Sequence, residues 1–231
     1  MAWWQRLRRK APGPFVPPHP WIDMHTHVVP AVDDGPETLD AALAMLRAAE
    51  AAGVTHIVAT PHYAAAFDAT AERVAAQFAA LANAAAAEGI AIVLSAGREV
   101  TFTETAVRAV TADQRLCGRG RKPWVLIELP EGLNRGAVIE GMFALQLAGV
   151  TPVLAHPERH SLVVQDPALV GELRQRGALA QLDAGSIAGE HGTPVRRTAQ
   201  RLLEQRWADA VASDAHGPRG YETYRGACER I

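Results

Sequence analysis

Cysteine is scarce in this chain. Cys117 and Cys228 are the only two among 231 residues, and no CxxC pair occurs. A dense disulfide framework is therefore excluded, and the thiols are read as packing or surface residues in a reducing compartment. Charge of one sign is also lacking: a net charge of −2 gives no reason to expect a nucleic-acid partner. No apolar run reaches the roughly 18–20 residues that a membrane helix needs. Arg6, Arg8, Arg9 and Lys10 are not followed by the apolar stretch of a secretory signal, so a cytoplasmic location is expected. Residues 1–20 read as a basic, Pro-rich tail. Its Trp3 and Trp4, beside four cations, leave open a peripheral contact with an anionic membrane.

What remains is a single domain over 21–231, long enough for one well-buried core. Short apolar, β-branched stretches at 21–27, 54–60, 90–97, 124–129, 150–156, 178–183 and 208–213 predict strands buried on both faces. Ala-rich helical segments lie between them. Leu39, Leu43 and Leu46 mark the inner face of the first, with Gly53 as its stop. Further helices are expected at 69–88, ending at Gly89, at 165–176, ending at Gly177, and at 192–206. Seven β-then-α steps without an Asn-Gly hairpin signal predict a parallel sheet. An open doubly wound sheet is the rival, but no Gly-rich phosphate loop follows the first strand. The preferred reading is a distorted (β/α)7 barrel, with its site where the C-terminal strand ends converge.

His, Asp and Glu residues recur at those ends. His25 and His27 stand at i, i+2 and leave one face of the first strand. Asp34 follows in Val32-Asp33-Asp34-Gly35-Pro36, where Asp33 is the alternative ligand and helix capping is the plainer role for either. His62 closes the second strand after Pro61, and Glu99 follows the third. Glu128 sits in Trp124-Val125-Leu126-Ile127-Glu128, where a carboxylate is costly unless paired or bound to metal. His156 ends the fifth strand, and Asp214 with His216 repeat the i, i+2 spacing after the last. Any one of these has a bland explanation in core packing or a salt bridge; all of them together need repeated coincidence. Five imidazoles and four carboxylates exceed what one ion uses, so two or three divalent ions are expected. His19, His56, His160 and His191 lack this placement and read as surface or packing residues.

The stretches Ile22-Asp23-Met24-His25-Thr26-His27, Asp33-Asp34-Gly35-Pro36-Glu37-Thr38, Ala59-Thr60-Pro61-His62, His156-Pro157-Glu158-Arg159 and Ala212-Ser213-Asp214-Ala215-His216 resemble the polymerase-and-histidinol-phosphatase (PHP) superfamily. More narrowly, they resemble its bacterial protein-tyrosine phosphatases of the capsule and exopolysaccharide type. The resemblance runs from Trp21 to His216. It implies a trinuclear, usually manganese-dependent site held by His25, His27, Asp34, His62, Glu99, Glu128, His156, Asp214 and His216; the mixed imidazole and carboxylate set by itself suits manganese, iron or zinc. Arg159 would bind the phosphate. A phosphorylated bacterial tyrosine autokinase is the implied partner, and oligomers are an open possibility. Three features depart from the pattern: Asp183 stands where Asn is common, Ala31 where Gly is usual, and the chain stops soon after His216.

The expected reaction is phosphomonoester hydrolysis by water activated at the metals, with Arg159 on the phosphate oxygens. His216 or His62 is the candidate proton donor to the leaving group. Two rivals share this site: a small-molecule phosphatase acting on histidinol phosphate or a nucleotide, and a non-catalytic metal-binding adaptor. A cysteine-dependent phosphatase is not expected, because its loop needs Arg six positions after Cys. Pro123 occupies that place after Cys117, and Cys228 lies too near the end.

Overall fold

The computed structural model describes residues 21–231. The expectations placed on the basic tail lie outside the described residues. Among the described residues, nine strands follow in order: β1 (Trp21–Thr26), β2 (Val54–Ala59), β3 (His62–Tyr63), β4 (Val93–Ala96), β5 (Glu99–Thr101), β6 (Trp124–Glu128), β7 (Thr151–Ala155), β8 (Leu179–Asp183) and β9 (Ala210–Ala212). The helices are α1 (Leu39–Ala52), α2 (Ala71–Ala87), α3 (Glu104–Ala112), α4 (Arg135–Leu147), α5 (Ser161–Gln165), α6 (Ala168–Gln175), α7 (Ala184–Ala188), α8 (Thr193–Glu204) and α9 (Gly220–Cys228).

Each of the seven expected strands is present. Two short ones are added because Pro61 and the Gly97-Arg98 step break the second and third into β2 with β3 and β4 with β5. The named strands of the described residues pair in parallel, in a three-stranded sheet β1-β2-β4 and a six-stranded sheet β3-β5-β6-β7-β8-β9. The ladders do not form one closed ring. Backbone bonds nevertheless cross the breaks, Gly97 N–H to Ala59 O at 2.8 Å and Glu99 N–H to Pro61 O at 3.2 Å. At the other seam, Asp214 N–H donates to His25 O at 2.9 Å and His27 N–H to Ala215 O at 3.0 Å. The buried Asp23 carboxylate reinforces that seam by accepting from Ser213 N–H at 3.0 Å and Ser213 O–H at 2.6 Å. Burial outweighs these bonds and pushes Asp23 up to about 6.

Helix boundaries follow local chemistry. Thr38 caps α1 by accepting from Ala41 N–H at 3.2 Å, and Gly53 ends it in the left-handed region, as its lack of Cβ allows. Leu43 and Leu46 of α1 are buried, but Leu39 in its first turn is exposed, so the inner face begins one turn later than the leucine spacing implies. The single helix expected at 165–176 is two, because Pro167 lacks the N–H that would carry α5 into α6. Strand residues such as Ile57, Val125, Ile127, Leu154 and Leu182 are fully buried beneath the helices. Each such side chain contributes about 1.5–3 kcal/mol. Both cysteines are free, and burial pushes each thiol up to about 11. Among the described residues, no helix is long and apolar enough to cross a membrane.

Ala31 adopts φ +58°, a conformation that costs a residue with a Cβ about 1–2 kcal/mol. Its N–H donates to Pro36 O at 2.9 Å, and its carbonyl accepts from Arg73 at 2.6 Å, so the turn is held despite the strain. Glycine would remove the strain but lose more freedom on folding. Ala31→Gly is accordingly expected to stabilise the protein by about 0.5–1 kcal/mol, read as a raised midpoint in urea unfolding. An unchanged or lower midpoint contradicts the account.

Candidate metal centre

Parallel pairing brings every strand's C-terminal end to one side, and the candidate residues arrive there from six places. His25 lies in β1 with His27 just past its end, His62 opens β3, Glu99 opens β5, Glu128 ends β6, His156 follows β7, and Asp214 and His216 follow β9. Two of these positions are strained: His156 has φ +32° and Asp214 φ +47°. Such backbone costs on the order of 1–3 kcal/mol per residue and persists where the surroundings over-determine it.

Glu99 is the hub. Its Oε2 lies 3.3 Å from His25 Nε2, 3.3 Å from His27 Nε2 and 3.2 Å from His62 Nδ1, while Oε1 lies 2.9 Å from His156 Nε2. Asp214 Oδ1 approaches the same pair, 3.3 Å from His25 Nε2 and 3.4 Å from His27 Nε2. On the outer side, Asp34 Oδ1 lies 3.2 Å from His216 Nε2 and 3.6 Å from His62 Nε2. Glu128 joins Glu99 and His156, and its Oε2 accepts from Thr101 O–H at 3.2 Å. All nine sequence-predicted residues fall into four overlapping groups with ligand-type spacing: His27 with Asp34, His62 and His216; His25 with His27 and Glu99; His25 with His156 and Asp214; and Glu99 with Glu128 and His156.

The two members of the Asp33-Asp34 pair are placed differently. Asp33 turns inward and accepts from His27 Nδ1–H at 2.8 Å, His62 N–H at 3.0 Å and Gly35 N–H at 3.1 Å. Asp34 is half exposed, with its oxygen on the cluster. Gly35 permits this turn, since a Cβ there would lie 2.1 Å from His27 O. Gln181 of β8 does for His25 what Asp33 does for His27, with its Oε1 2.8 Å from His25 Nδ1. Each of these imidazoles therefore presents Nε2 inward. Gln181 was missed from sequence, although a polar side chain amid Ala180 and Leu182 is the same anomaly that picked out Glu128.

Arg159 stands at the edge of the cluster, its Nη1 donating to Asp214 Oδ2 at 2.6 Å. The turn that places it is held by Glu158, which is fully buried and accepts from Asp183 N–H at 2.8 Å. Burial pushes Glu158 up to about 7. Arg159, Asp183, His191, Asp214 and His216 line one cavity of about 270 Å³. Of the four histidines set aside in the sequence, His160 is buried in packing with Nε2 2.9 Å from Pro130 O, and His56 is exposed. His191 lies on this cavity instead of on plain surface, and His19 is outside the described residues.

A metal fits this donor set. Glu99 Oε2, Asp214 Oδ1 and His62 Nδ1 are buried yet have no hydrogen-bond partner. Such orphaned atoms call for an explanation, and here all three face the cluster. In the protein without ions, protons take the cationic role. Burial opposes a charged imidazole, but the Glu99 and Asp214 carboxylates overcome it and raise His25 to about 9; His27 is raised well above its ordinary value, and His156 is raised. Burial opposes the carboxylates too, yet the imidazoles hold Glu99 and Asp214 well below the usual range. His62, where burial dominates, is lowered.

Metal loading must therefore displace protons. At neutral pH the uptake of a divalent metal ion is expected to release at least about one proton per chain, measured by calorimetry in buffers of different ionisation enthalpy. The sign for stability follows from His25. Its contribution is complete below the unfolded value of 6.5 and is lost as pH rises through about 9. The metal-free protein should melt at lower temperature as pH rises across that window, and metal should remove most of the dependence. A metal-free melting curve that is flat across it contradicts this reading.

The profile of the family described as "Capsular polysaccharide synthesis, CpsB/CapC" matches residues 21–228. The chain belongs to that family. Over 198 residues it is 33% identical to the tyrosine-protein phosphatase YwqE of Bacillus subtilis, covering 84% of this chain and 77% of that protein. It is 27% identical over 201 residues to the tyrosine-protein phosphatase CpsB of Streptococcus pneumoniae, covering 84% and 82%. A solved structure from work on these two proteins, described as unique metal-dependent tyrosine phosphatases, superposes with a TM-score of 0.81 at 30% identity, covering 91% of this chain and 87% of that one. The α/β architecture with parallel sheets is thus shared with this family.

Proposed function

We propose that this chain is a metal-dependent protein-tyrosine phosphatase that dephosphorylates a bacterial tyrosine autokinase in capsule or exopolysaccharide regulation. Family membership and the names of the relatives support the activity. The observation that carries it is the convergence of three orphaned, buried ligand atoms beside a cavity containing Arg159. The seam bonds between β1 and the segment after β9 further support reading the two sheets as one distorted seven-stranded barrel.

His25, His27, Asp34, His62, Glu99, Glu128, His156, Asp214 and His216 would hold two or three divalent ions. Manganese is favoured by the family resemblance, and the mixed imidazole and carboxylate set also suits iron or zinc. Such ions, when bound, neutralise phosphate charge and lower the pKa of water toward neutrality. Asp34 is assigned as the ligand, and Asp33 as the group that orients His27. The protein's own part in the reaction begins with Arg159, whose planar fork bonds two phosphate oxygens at once. Its present partner, Asp214, keeps it aimed at the cluster. The buried floor, with His25 and His27 at 0% exposure and Glu99 at 1%, excludes bulk water. Asp34, at 51%, forms an open lip that admits a substrate carried on a protein.

Metal-reconstituted protein should hydrolyse a phosphotyrosyl peptide with higher kcat/KM than histidinol phosphate. A preference for histidinol phosphate overturns the substrate, and no turnover of either with any of several divalent metals overturns the enzyme and favours an adaptor.

A further inference from the structure

His62 and His216, the two sequence candidates for proton donor, both turn ring nitrogens toward Asp34 and the cluster. As metal ligands they are committed to the neutral form, with no imidazolium proton to give a leaving group. A third imidazole stands on the cavity that His216 and Arg159 line. His191, in the loop between α7 and α8, places Nε2 at 2.6 Å from Asp183 Oδ2 at the end of β8. Asp183 is buried and fixed in turn, its Oδ1 accepting from Gly185 N–H at 2.8 Å and its Oδ2 from Ser186 N–H at 3.2 Å. The His191 side chain is 35% exposed, so one edge is held and the rest of the ring is accessible.

Gly185 makes this approach possible. A Cβ there would lie 3.1 Å from His191 Nε2, 3.2 Å from Asp183 Oδ2 and 2.9 Å from Glu190 Oε2. The charged and titratable groups around the ring's cavity are Asp183, Glu190, Arg159, Asp214 and His216. A phosphate gripped by Arg159 thus shares a cavity of about 270 Å³ with His191.

We propose that His191, oriented by Asp183, is a further catalytic residue that protonates the leaving phenol oxygen. This rests on the phosphatase reading above. With Nε2 engaged by Asp183, Nδ1 is the nitrogen left to serve the substrate. The bond from phosphorus to the aryl oxygen breaks, and its electron pair stays on that oxygen, which takes the proton from His191. A new bond forms between phosphorus and the oxygen of water, and the proton which that water loses restores the ring through solvent. The products are a phenol and inorganic phosphate. Protonation matters because tyrosine's phenol has a pKa of about 10 and departs poorly as an anion at neutral pH. Asp183, a positioning residue, acts only through His191.

The test compares two esters that differ in their need for a proton. Phenyl phosphate releases a basic phenolate, whereas p-nitrophenyl phosphate releases one stabilised by its nitro group. Wild type, His191→Gln and Asp183→Asn are loaded with the metal that gives the highest turnover. For His191→Gln, kcat on phenyl phosphate should fall about 100-fold, and at least about tenfold more than on p-nitrophenyl phosphate. Asp183→Asn keeps a good helix cap and should shift the ratio the same way by less. Independently of turnover, ¹⁵N resonances of the His191 ring in metal-free protein should report a hydrogen held on Nε2 in wild type and a tautomer mixture in Asp183→Asn. Equal loss on both esters overturns the role of His191, and an unaltered ring spectrum in Asp183→Asn overturns that of Asp183. Wild type that cleaves neither ester defeats the phosphatase reading itself.

Discussion

Glu99→Gln is expected to strip metal from the protein and lower turnover of a phosphotyrosyl peptide by on the order of 10³-fold or more, since Lewis-acid assistance contributes several kcal/mol. Glu99 approaches four of the candidate imidazoles more closely, taken together, than any other carboxylate of the centre does. Its two oxygens lie within 3.3 Å of nitrogens on His25, His27, His62 and His156. Glutamine keeps the shape but offers one oxygen in place of two and turns an N–H₂ toward ring nitrogens. It also removes the negative charge that helps raise His25, His27 and His156. Elemental analysis of the purified variant, with circular dichroism to establish folding, checks the result. Wild-type metal content with turnover within about threefold of wild type, a barrier change of under about 1 kcal/mol, would remove Glu99 from the centre.

Arg159→Ala is expected to reduce kcat/KM by about 10²–10³-fold, the usual cost of deleting a donor aimed at developing charge, while leaving metal content intact. The two variants therefore separate metal binding from phosphate binding. Arg159 touches the cluster only through Asp214, and it is partly exposed where the ligands behind it are buried. Arg159→Lys should recover little, because an ammonium keeps the charge but loses the planar pair of donors. Loss of metal from Arg159→Ala, or full recovery with lysine, contradicts the assignment of a bidentate phosphate grip.

Much of the fold was legible because strands buried on both faces must be apolar for their whole length. Trp124-Val125-Leu126-Ile127 and Val153-Leu154-Ala155 could be little else, and polar ligands at their ends stand out against them. Less legible were the breaks at Pro61 and Gly97. There one strand becomes two, and local composition says nothing about which neighbour each half will pair with. Leu39 shows the same limit, since spacing places it on the apolar stripe while the folded chain leaves it exposed in the first turn of α1.

The choice between Asp33 and Asp34 could not be made from adjacency, because both residue types suit a ligand and a hydrogen-bond acceptor equally. Tertiary placement separates them: Asp33 is turned beneath His27 Nδ1 and the His62 amide, and Asp34 onto the outer group. Gln181 and His191 acquire meaning only through partners distant in sequence or across a helix, His25 at 156 positions and Asp183 at eight. By itself the sequence determined the strands, their order along the chain and the ligand types at their ends, since these follow from local hydrophobicity and side-chain chemistry. Only the tertiary structure decided which carboxylate faces the centre, which buried atoms lack partners, and that a histidine read as surface lies beside Arg159. Those are distances between residues far apart in the chain, and parallel pairing sets them through the register of every strand between.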